Sequence, residues 1–253
     1  MVGAIFATMW RSISVAQTTD TESPTEGTVS LVRVTSPAMG EQRRLTLYKP
    51  PGWREGVSYP VIYAADGQYL FQFLQLLDPM IVRGEVPPIV AIGMWSAEGL
   101  GGPYTRSQEY LPGFGAARRH AHFQQYFLEE VVPFAALKLG ASTRREERML
   151  FGYSDGATWA LTTGLKNPDL LGAVTALSIG WEAAGEHIAV TNRPRLYIGI
   201  GTEETTFKTM TTGIVRQAQR TPGEVVFRTG EGGHNAVTWR PMFVEAVKWA
   251  FAR

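Results

Sequence analysis

The chain has 253 residues, of which 44% are hydrophobic and 19% are charged, a composition typical of a folded globular protein. Its 24 basic and 23 acidic side chains give a formal charge of +1, so no global field favours nucleic acid or an anionic membrane as a partner. Because cysteine is absent, disulfides, thiolate metal sites and a cysteine nucleophile are excluded. There is no run of 18 or more apolar residues, so no membrane-spanning helix is expected.

The N-terminal part of the chain is predicted to form a flexible segment, residues 1–28, ahead of a single domain, residues 29–253. Residues 17–28 are polar, with neither apolar content nor periodicity, and are interpreted as a flexible lead-in. No internal repeat or domain boundary follows.

The first residues share some features with a signal peptide. Residues 1–10 are mostly apolar, and residues 14–16 (Ser-Val-Ala) resemble a cleavage site, but no positive charge precedes the apolar run and Arg11 interrupts it. The compartment therefore stays open between the cytoplasm and, if residues 1–16 are a signal peptide, the periplasm or the exterior.

The remaining pattern predicts an α/β fold. Residues 29–36 and 42–50 show partial alternation, as expected for an antiparallel pair with one solvated face. Continuous apolar runs then suit strands buried on both faces, and helix-length segments separate most of them. The runs are 60–65, 88–94, 149–152, 173–178, 196–201 and 225–227, and the helical segments are 69–82, 123–138, 155–166, 207–219 and 241–251. We expect a mostly parallel, twisted sheet of about eight strands with an antiparallel start and helices on both faces.

One long stretch, residues 96–120, has no sustained period. It is rich in glycine and holds two prolines. An unstructured connection of this length in a compact domain is usually functional, so we expect it to help wall a site.

The apolar run that ends at Gly152 is followed by Tyr153-Ser154-Asp155-Gly156 and then by helix-compatible spacing. This pattern predicts a strand, a sharp turn and a helix, with Ser154 exposed at the tip and glycines where a Cβ would not fit. The unpaired N–H groups of the helix would then point at any negative charge that develops beside the serine.

A serine in such a turn needs a base, and the base needs a carboxylate. In the hydrolase fold the order along the chain is serine, acid, histidine, and of the four histidines only His234 satisfies it. The acid should follow the strand at 196–201, where Glu203 and Glu204 are both candidates. We prefer Glu204, because the position three residues past Gly201 can return toward the histidine, and Glu203 is the alternative.

An oxyanion site requires two backbone donors. The helix after the serine supplies the N–H of Asp155, and the loop after the first parallel strand, which contains Asp66-Gly67, supplies the N–H of Gln68.

Further motifs accompany this turn. They are Ser36-Pro-Ala-Met-Gly40 with Arg44, Tyr48-Lys-Pro-Pro-Gly52, Tyr63-Ala-Ala-Asp-Gly-Gln68 with Leu70-Phe71, Arg106-Ser-Gln-Glu109-Tyr110, and Gly233-His234 with Trp239-Arg240. With them the chain resembles, over about residues 30–252, the putative esterase family of α/β-hydrolases, which includes feruloyl esterases, siderophore trilactone esterases, S-formylglutathione hydrolases and mycolyltransferases. The resemblance implies that fold, serine hydrolysis of carboxylic esters, and the roles of Ser154, His234 and an acid near Glu204.

The chain departs from the family at two positions of the turn. Asp155 stands where a neutral residue is more frequent, and Ala157 stands where a second glycine is frequent. A carboxylate beside the oxyanion would weaken catalysis unless it turns away.

Aromatic and charged side chains near these motifs are candidates for substrate binding. Tyr69, Trp95, Tyr104 and Trp181 follow predicted strand ends or lie in the long loop, where they could line a pocket or pack in the core. Arg106 could bind a substrate carboxylate, or pair with Glu109 and order the loop; we favour the second role.

Two further patterns carry no site. His120 and His122 cannot share a helix face and have no carboxylate cluster at ligand spacing, so no metal is expected. Residues 99–102 (Gly-Leu-Gly-Gly) lack the lysine and the following helix of a phosphate loop.

The sequence therefore predicts a serine carboxylic ester hydrolase that acts on a small-molecule ester without a cofactor. An acyltransferase, in which an alcohol replaces water, is the first alternative. The second is a non-catalytic binding protein on the same fold, for which Asp155 is the only indication. The oligomeric state and the acyl and alcohol specificity stay open.

Overall fold

The fold is built on one nine-stranded sheet. A computed structural model describes residues 14–21, 26–97, 104–115, 117–181 and 188–251. The strands are β1 Ser14–Thr21, β2 Thr28–Ser36, β3 Glu41–Lys49, β4 Val61–Ala64, β5 Val90–Met94, β6 Arg148–Tyr153, β7 Ala173–Leu177, β8 Arg195–Gly201 and β9 Val225–Gly230. Their order across the sheet is β1-β2-β3-β5-β4-β6-β7-β8-β9.

The predicted sheet is confirmed. The pairs β1–β2, β2–β3 and β3–β5 are antiparallel, whereas β5–β4–β6–β7–β8–β9 are parallel. Every residue of β4, β5, β6 and β7 is buried, which explains why their sequences are continuously apolar rather than alternating.

The structure adds one strand to the prediction. Strand β1 lies in the segment interpreted as flexible, where it pairs with β2 at the edge of the sheet. Its sequence, Ser-Val-Ala-Gln-Thr-Thr-Asp-Thr, contains β-branched threonines but little apolar content. An edge strand needs no continuous apolar face, so the hydrophobic pattern gave no signal for it.

Helices cover both faces of the sheet, as predicted. They are α1 Phe71–Val82, α2 Thr105–Tyr110, α3 Ala117–Gln125, α4 Val132–Leu139, α5 Asp155–Lys166, α6 Thr205–Gln219 and α7 Ala236–Phe251, with a π-helical segment, Tyr126–Val131, between α3 and α4. Helices α1 and α7 pack in one core, and side chains of α3 to α6 pack in the other.

The helices differ most from the prediction in two places. The stretch at 96–120 contains α2 and the start of α3, because tertiary hydrogen bonds of Glu109 and Tyr110 hold a six-residue helix that has no apolar period. Helix α7 begins at Ala236 rather than at Pro241, because the side-chain oxygen of Asn235 accepts hydrogen bonds from the N–H groups of Val237 and Thr238 at its N-terminus.

Helix α5 packs against α2, α3 and the π-helical segment through Trp159. The indole is fully buried, and its ring centre lies 5.2 Å from that of Phe127, 5.4 Å from Phe123 and 5.9 Å from Tyr110. Since α5 starts directly after Ser154, this aromatic cluster sets the position of the serine turn.

Replacing Trp159 tests this anchor. We expect Trp159→Ala to lower the free energy of unfolding by about 3–5 kcal/mol, because a large cavity forms in a closely packed cluster. Leu137 is 78% exposed on α4, so the control Leu137→Ala should change it by less than about 0.5 kcal/mol. The measurement is urea unfolding followed by tryptophan fluorescence and circular dichroism, and equal losses in the two variants would contradict the assigned role.

Candidate active site

The turn between β6 and α5 holds Ser154 in a rare backbone conformation. Its φ is 55° and its ψ is −130°, a region that non-glycine residues seldom occupy and that is strained by about 1–3 kcal/mol. A Cβ on Gly152 would lie 2.1 Å from the carbonyl oxygen of Gly156, so only glycine allows the strand and the helix to approach this closely. The turn therefore presents the serine at the carboxyl edge of the sheet.

A chain of hydrogen bonds joins this serine to a histidine and a glutamate. The Nε2 atom of His234 lies 3.0 Å from the Ser154 hydroxyl oxygen, and Nδ1 lies 2.7 Å from a carboxylate oxygen of Glu204. Because an ionised carboxylate can only accept, Nδ1 carries the proton and Nε2 is left with a lone pair toward the serine. This is the arrangement that general-base activation of a hydroxyl requires.

The structure separates the two candidate acids. The Glu204 side chain is fully buried against His234, whereas Glu203 is exposed. Burial by itself would raise the pKa of the Glu204 carboxyl, but hydrogen bonds from His234, the Ser178 hydroxyl and the Gly201 N–H outweigh burial and hold that pKa below its usual value.

Three side chains that the sequence reasoning did not assign support the pair. The Ser178 hydroxyl donates to Glu204 over 2.6 Å and accepts a hydrogen bond from the indole N–H of Trp239 over 2.8 Å. The Phe207 ring stacks on the His234 ring with their centres 4.2 Å apart. Trp239 belongs to one of the motifs named above. Nothing local in the sequence marks Ser178 or Phe207, because their partners, Glu204 and His234, lie in other segments of the chain.

The loop that carries Gln68 is tied down at several atoms. The Gln68 side-chain amide donates to the Ser96 hydroxyl over 2.6 Å, and its carbonyl oxygen accepts from the Ser96 N–H over 3.1 Å. The Thr46 hydroxyl donates to the carbonyl oxygen of Gly67 over 2.8 Å. This loop follows β4, the strand next to β6, so it lies at the same sheet edge as Ser154.

The carboxylate of Asp155 is held by neighbouring donors. The Ser107 hydroxyl donates to its Oδ2 over 2.7 Å, and a guanidinium nitrogen of Arg106 lies 3.2 Å from the same oxygen. Arg106 also makes a bidentate pair with Asp66, with both distances 2.7 Å. The Arg106 guanidinium thus connects Asp66, in the loop that carries Gln68, with Asp155, which follows Ser154.

The expected pairing of Arg106 with Glu109 is wrong. Buried Glu109 instead pairs with Arg43 and Arg119, each over 2.7 Å. The two arginines approach it from β3 and α3, contacts too remote in sequence for local spacing to predict. The idea that these charges order the loop agrees with the structure, but the partners differ.

The predicted pocket residues fall into two groups. Tyr69 and Trp95 line an open cavity of about 520 Å³ to which Gln68 also contributes. Tyr104 and Trp181 lie instead in an exposed cluster around Phe114, with ring centres 6.1 and 6.2 Å from the Phe114 ring. The structure therefore does not bring all four aromatic residues to one cavity.

Two negative findings apply to the described part of the chain. Within it, no helix combines the length and the apolar content needed to cross a bilayer. The same residues contain no group of three or more histidine, aspartate or glutamate side chains arranged to hold a metal ion.

The parallel sheet with its antiparallel start, flanking helices and serine turn defines an α/β-hydrolase fold. The profile of the family described as "Putative esterase" matches residues 36–250, which is most of the chain. The chain belongs to this esterase family and is a carboxylic ester hydrolase.

The chain is also similar to individual proteins, and the solved structures among them share its fold. The chain is 23% identical over 250 residues to the uncharacterized protein YjcH of Bacillus subtilis (strain 168), which covers 89% of this chain and 98% of that protein. It superposes with a TM-score of 0.74, at 17% identity, on a ferulic acid esterase from Anaeromyces mucronatus solved with ferulic acid, covering 89% of this chain and 91% of that chain. With the enterobactin esterase from Shigella flexneri the TM-score is 0.75 at 18% identity. That superposition covers 88% of this chain and 59% of the enterobactin esterase chain.

The lowered pKa of Glu204 predicts how stability depends on pH. A carboxyl whose pKa is lower in the folded state stabilises the fold at pH values above its unfolded-state pKa, near 4.5. This stabilisation is lost as the pH falls through the folded-state pKa. We therefore expect the Glu204→Gln variant to lose less stability than the wild type as the pH falls below about 4.5. Urea midpoints measured at a series of pH values test this, and parallel pH profiles for the two proteins would contradict it.

Proposed function

We propose that the chain hydrolyses small-molecule carboxylic esters through an acyl-enzyme intermediate on Ser154, with His234 as general base and acid and Glu204 as its orienting carboxylate. The observation that carries the proposal is the continuous hydrogen-bond chain from Ser154 through His234 to a buried carboxylate. No cofactor is required for this chemistry.

In the first half of the reaction, the Ser154 oxygen attacks the acyl carbon while its proton moves to Nε2 of His234. The Glu204 carboxylate, 2.7 Å from Nδ1, stabilises the imidazolium that forms. The bond to the alkoxide then breaks, and His234 returns the proton to the leaving oxygen. In the second half His234 takes a proton from a water molecule that attacks the acyl carbon. The bond from that carbon to the Ser154 oxygen then breaks, the proton returns to Ser154 and the carboxylic acid is released.

The negative charge on the carbonyl oxygen needs donors that are already in position. The N–H of Asp155, in the first turn of α5, and the N–H of Gln68 are the proposed donors, and the positive end of the α5 dipole adds to them. The contacts that Arg106 and Ser107 make with the Asp155 carboxylate support the idea that this charge is kept off the oxyanion.

Substitution of Ser154 and Glu204 tests the mechanism. Ser154→Ala should lower kcat by about 10⁴-fold or more, and Glu204→Gln by about 10²–10⁴-fold, because the nucleophile or the correct tautomer is lost. The control Glu203→Gln removes an exposed carboxylate and should stay within about twofold of the wild type. Rates on p-nitrophenyl, feruloyl and trilactone esters provide the measurement.

Activity that survives in Ser154→Ala would refute the assignment, and a loss in Glu203→Gln comparable to that in Glu204→Gln would refute the choice of acid. Product analysis with an added alcohol separates hydrolysis from acyl transfer, because a transferase would yield the new ester rather than the free acid.

The ion pair between Arg106 and the Asp155 carboxylate leads to a second prediction. We expect Arg106→Gln to lower kcat by about tenfold or more, because the freed Asp155 carboxylate would oppose the oxyanion, and the added change Asp155→Asn should restore part of the rate. Steady-state kcat and KM on a neutral ester are the readouts. A larger effect on KM than on kcat, without rescue by Asp155→Asn, would instead indicate that Arg106 binds substrate.

A further inference from the structure

The cavity beside the Gln68 loop has an unusual charge distribution. Its volume is about 520 Å³, and the side chains that line it include two from the loop after β5, Trp95 and Ser96, and two exposed arginines from the antiparallel strands, Arg33 and Arg44. Gln68, whose backbone is a proposed oxyanion donor, also lines the cavity, so the cavity borders that side of the proposed oxyanion site.

The two arginines face each other across neighbouring strands. Arg33 of β2 is the direct register partner of Arg44 of β3, so both side chains stand on the same face of the sheet. Like charges in directly opposite positions destabilise a strand pair. Among the side chains that the structure describes, from residue 26 onward, no carboxylate forms an ion pair with either guanidinium, so none of these charges offsets the repulsion.

The neighbouring arginine shows the contrast. Arg43 also borders the cavity, but it is 3% exposed and its guanidinium bonds Glu41, Glu109 and the carbonyl oxygen of Trp95. Arg43 is therefore already neutralised by the fold. The positive charges that the cavity can offer to a ligand are those of Arg33 and Arg44.

Aromatic surface completes the cavity. The Arg44 guanidinium lies 5.1 Å from the centre of the Trp95 ring, which is itself fixed by a hydrogen bond from its N–H to the Thr46 hydroxyl over 2.9 Å. Tyr69 is 47% exposed at the same cavity. Stacking on tryptophan orients a guanidinium without neutralising it, so an apolar stem that ends in an anion fits this lining.

We propose that this cavity is a substrate subsite that binds a carboxylate carried by the ester, on either its acyl or its alcohol half, through Arg33 and Arg44. Two guanidinium groups can hold one carboxylate by charge-assisted hydrogen bonds, and the bound anion relieves their mutual repulsion. The subsite rests on the proposed hydrolysis at Ser154 and specifies its substrate class as anionic esters.

Matched ester pairs test the subsite. On the acyl side, p-nitrophenyl monoesters of adipic and suberic acid are compared with p-nitrophenyl hexanoate and octanoate; on the alcohol side, 4-acetoxybenzoate is compared with 4-acetoxybenzamide. The readout is the ratio of kcat/KM for the charged ester to that for the neutral ester. In at least one arm this ratio should fall about tenfold or more in the double variant Arg33→Gln/Arg44→Gln, the size expected for losing a charge-assisted hydrogen bond.

The double variant Arg216→Gln/Arg220→Gln is the matched control. Both residues are exposed near the end of α6, away from the cavity, and their loss removes the same two positive charges. The ratio should stay within about twofold of the wild type in this control, because screening limits distant surface charges. An equal fall in both double variants would overturn the subsite in favour of a general field.

The outcomes separate the subsite from the proposed hydrolysis. If the wild type hydrolyses the neutral esters through Ser154 but the ratios do not change in Arg33→Gln/Arg44→Gln, the subsite is overturned and the mechanism stands. If the folded wild type hydrolyses none of the esters, both proposals are overturned. Circular dichroism and urea unfolding establish that each variant is folded.

Discussion

The hydrogen bond between Nδ1 of His234 and the buried carboxylate of Glu204 is the interaction on which the candidate site depends. It fixes the tautomer, and it therefore decides whether Nε2 presents a lone pair or a proton to Ser154, 3.0 Å away. A buried carboxylate is costly unless it is fully hydrogen-bonded. Here His234, Ser178 and the Gly201 N–H supply the partners, so the fold stabilises the charge that orients the imidazole.

A second polar network surrounds the proposed oxyanion site. Arg106 joins Asp66, which precedes the Gln68 loop, to Asp155, which opens α5. The pair with Asp66 is bidentate and removed from water on the aspartate side, where the side chain is fully buried. The network links the two segments that carry the proposed oxyanion donors, and it supplies partners for the Asp155 carboxylate beside Ser154. The carboxylate at this departure from the family pattern thus has partners in Arg106 and Ser107.

Most of the fold follows from patterns in the sequence, because buried parallel strands must be continuously apolar and helices between them must be long enough to cross back. The bounds of α5 agree with the prediction residue for residue. Strand β1 and helix α2 were not predicted, because neither has a hydrophobic period. The strand is held by its pairing with β2, and the short helix is held by tertiary hydrogen bonds. The candidate site shows a similar division. Ser154, His234 and Glu204 follow from chain order and turn chemistry, whereas Ser178, Phe207 and the true partners of Arg106 depend on contacts between remote segments that spacing does not encode.

The central claim is that Ser154 is activated by His234 at the carboxyl edge of this sheet. The most direct measurement is the reaction of the folded protein with a fluorophosphonate probe, followed by peptide mass spectrometry to locate the adduct and by comparison of the labelling rate with that of His234→Ala. The account predicts one adduct, on Ser154, that forms much more slowly without the imidazole. A folded sample that stays unlabelled, or that is labelled at another residue or at the same rate without His234, would contradict it.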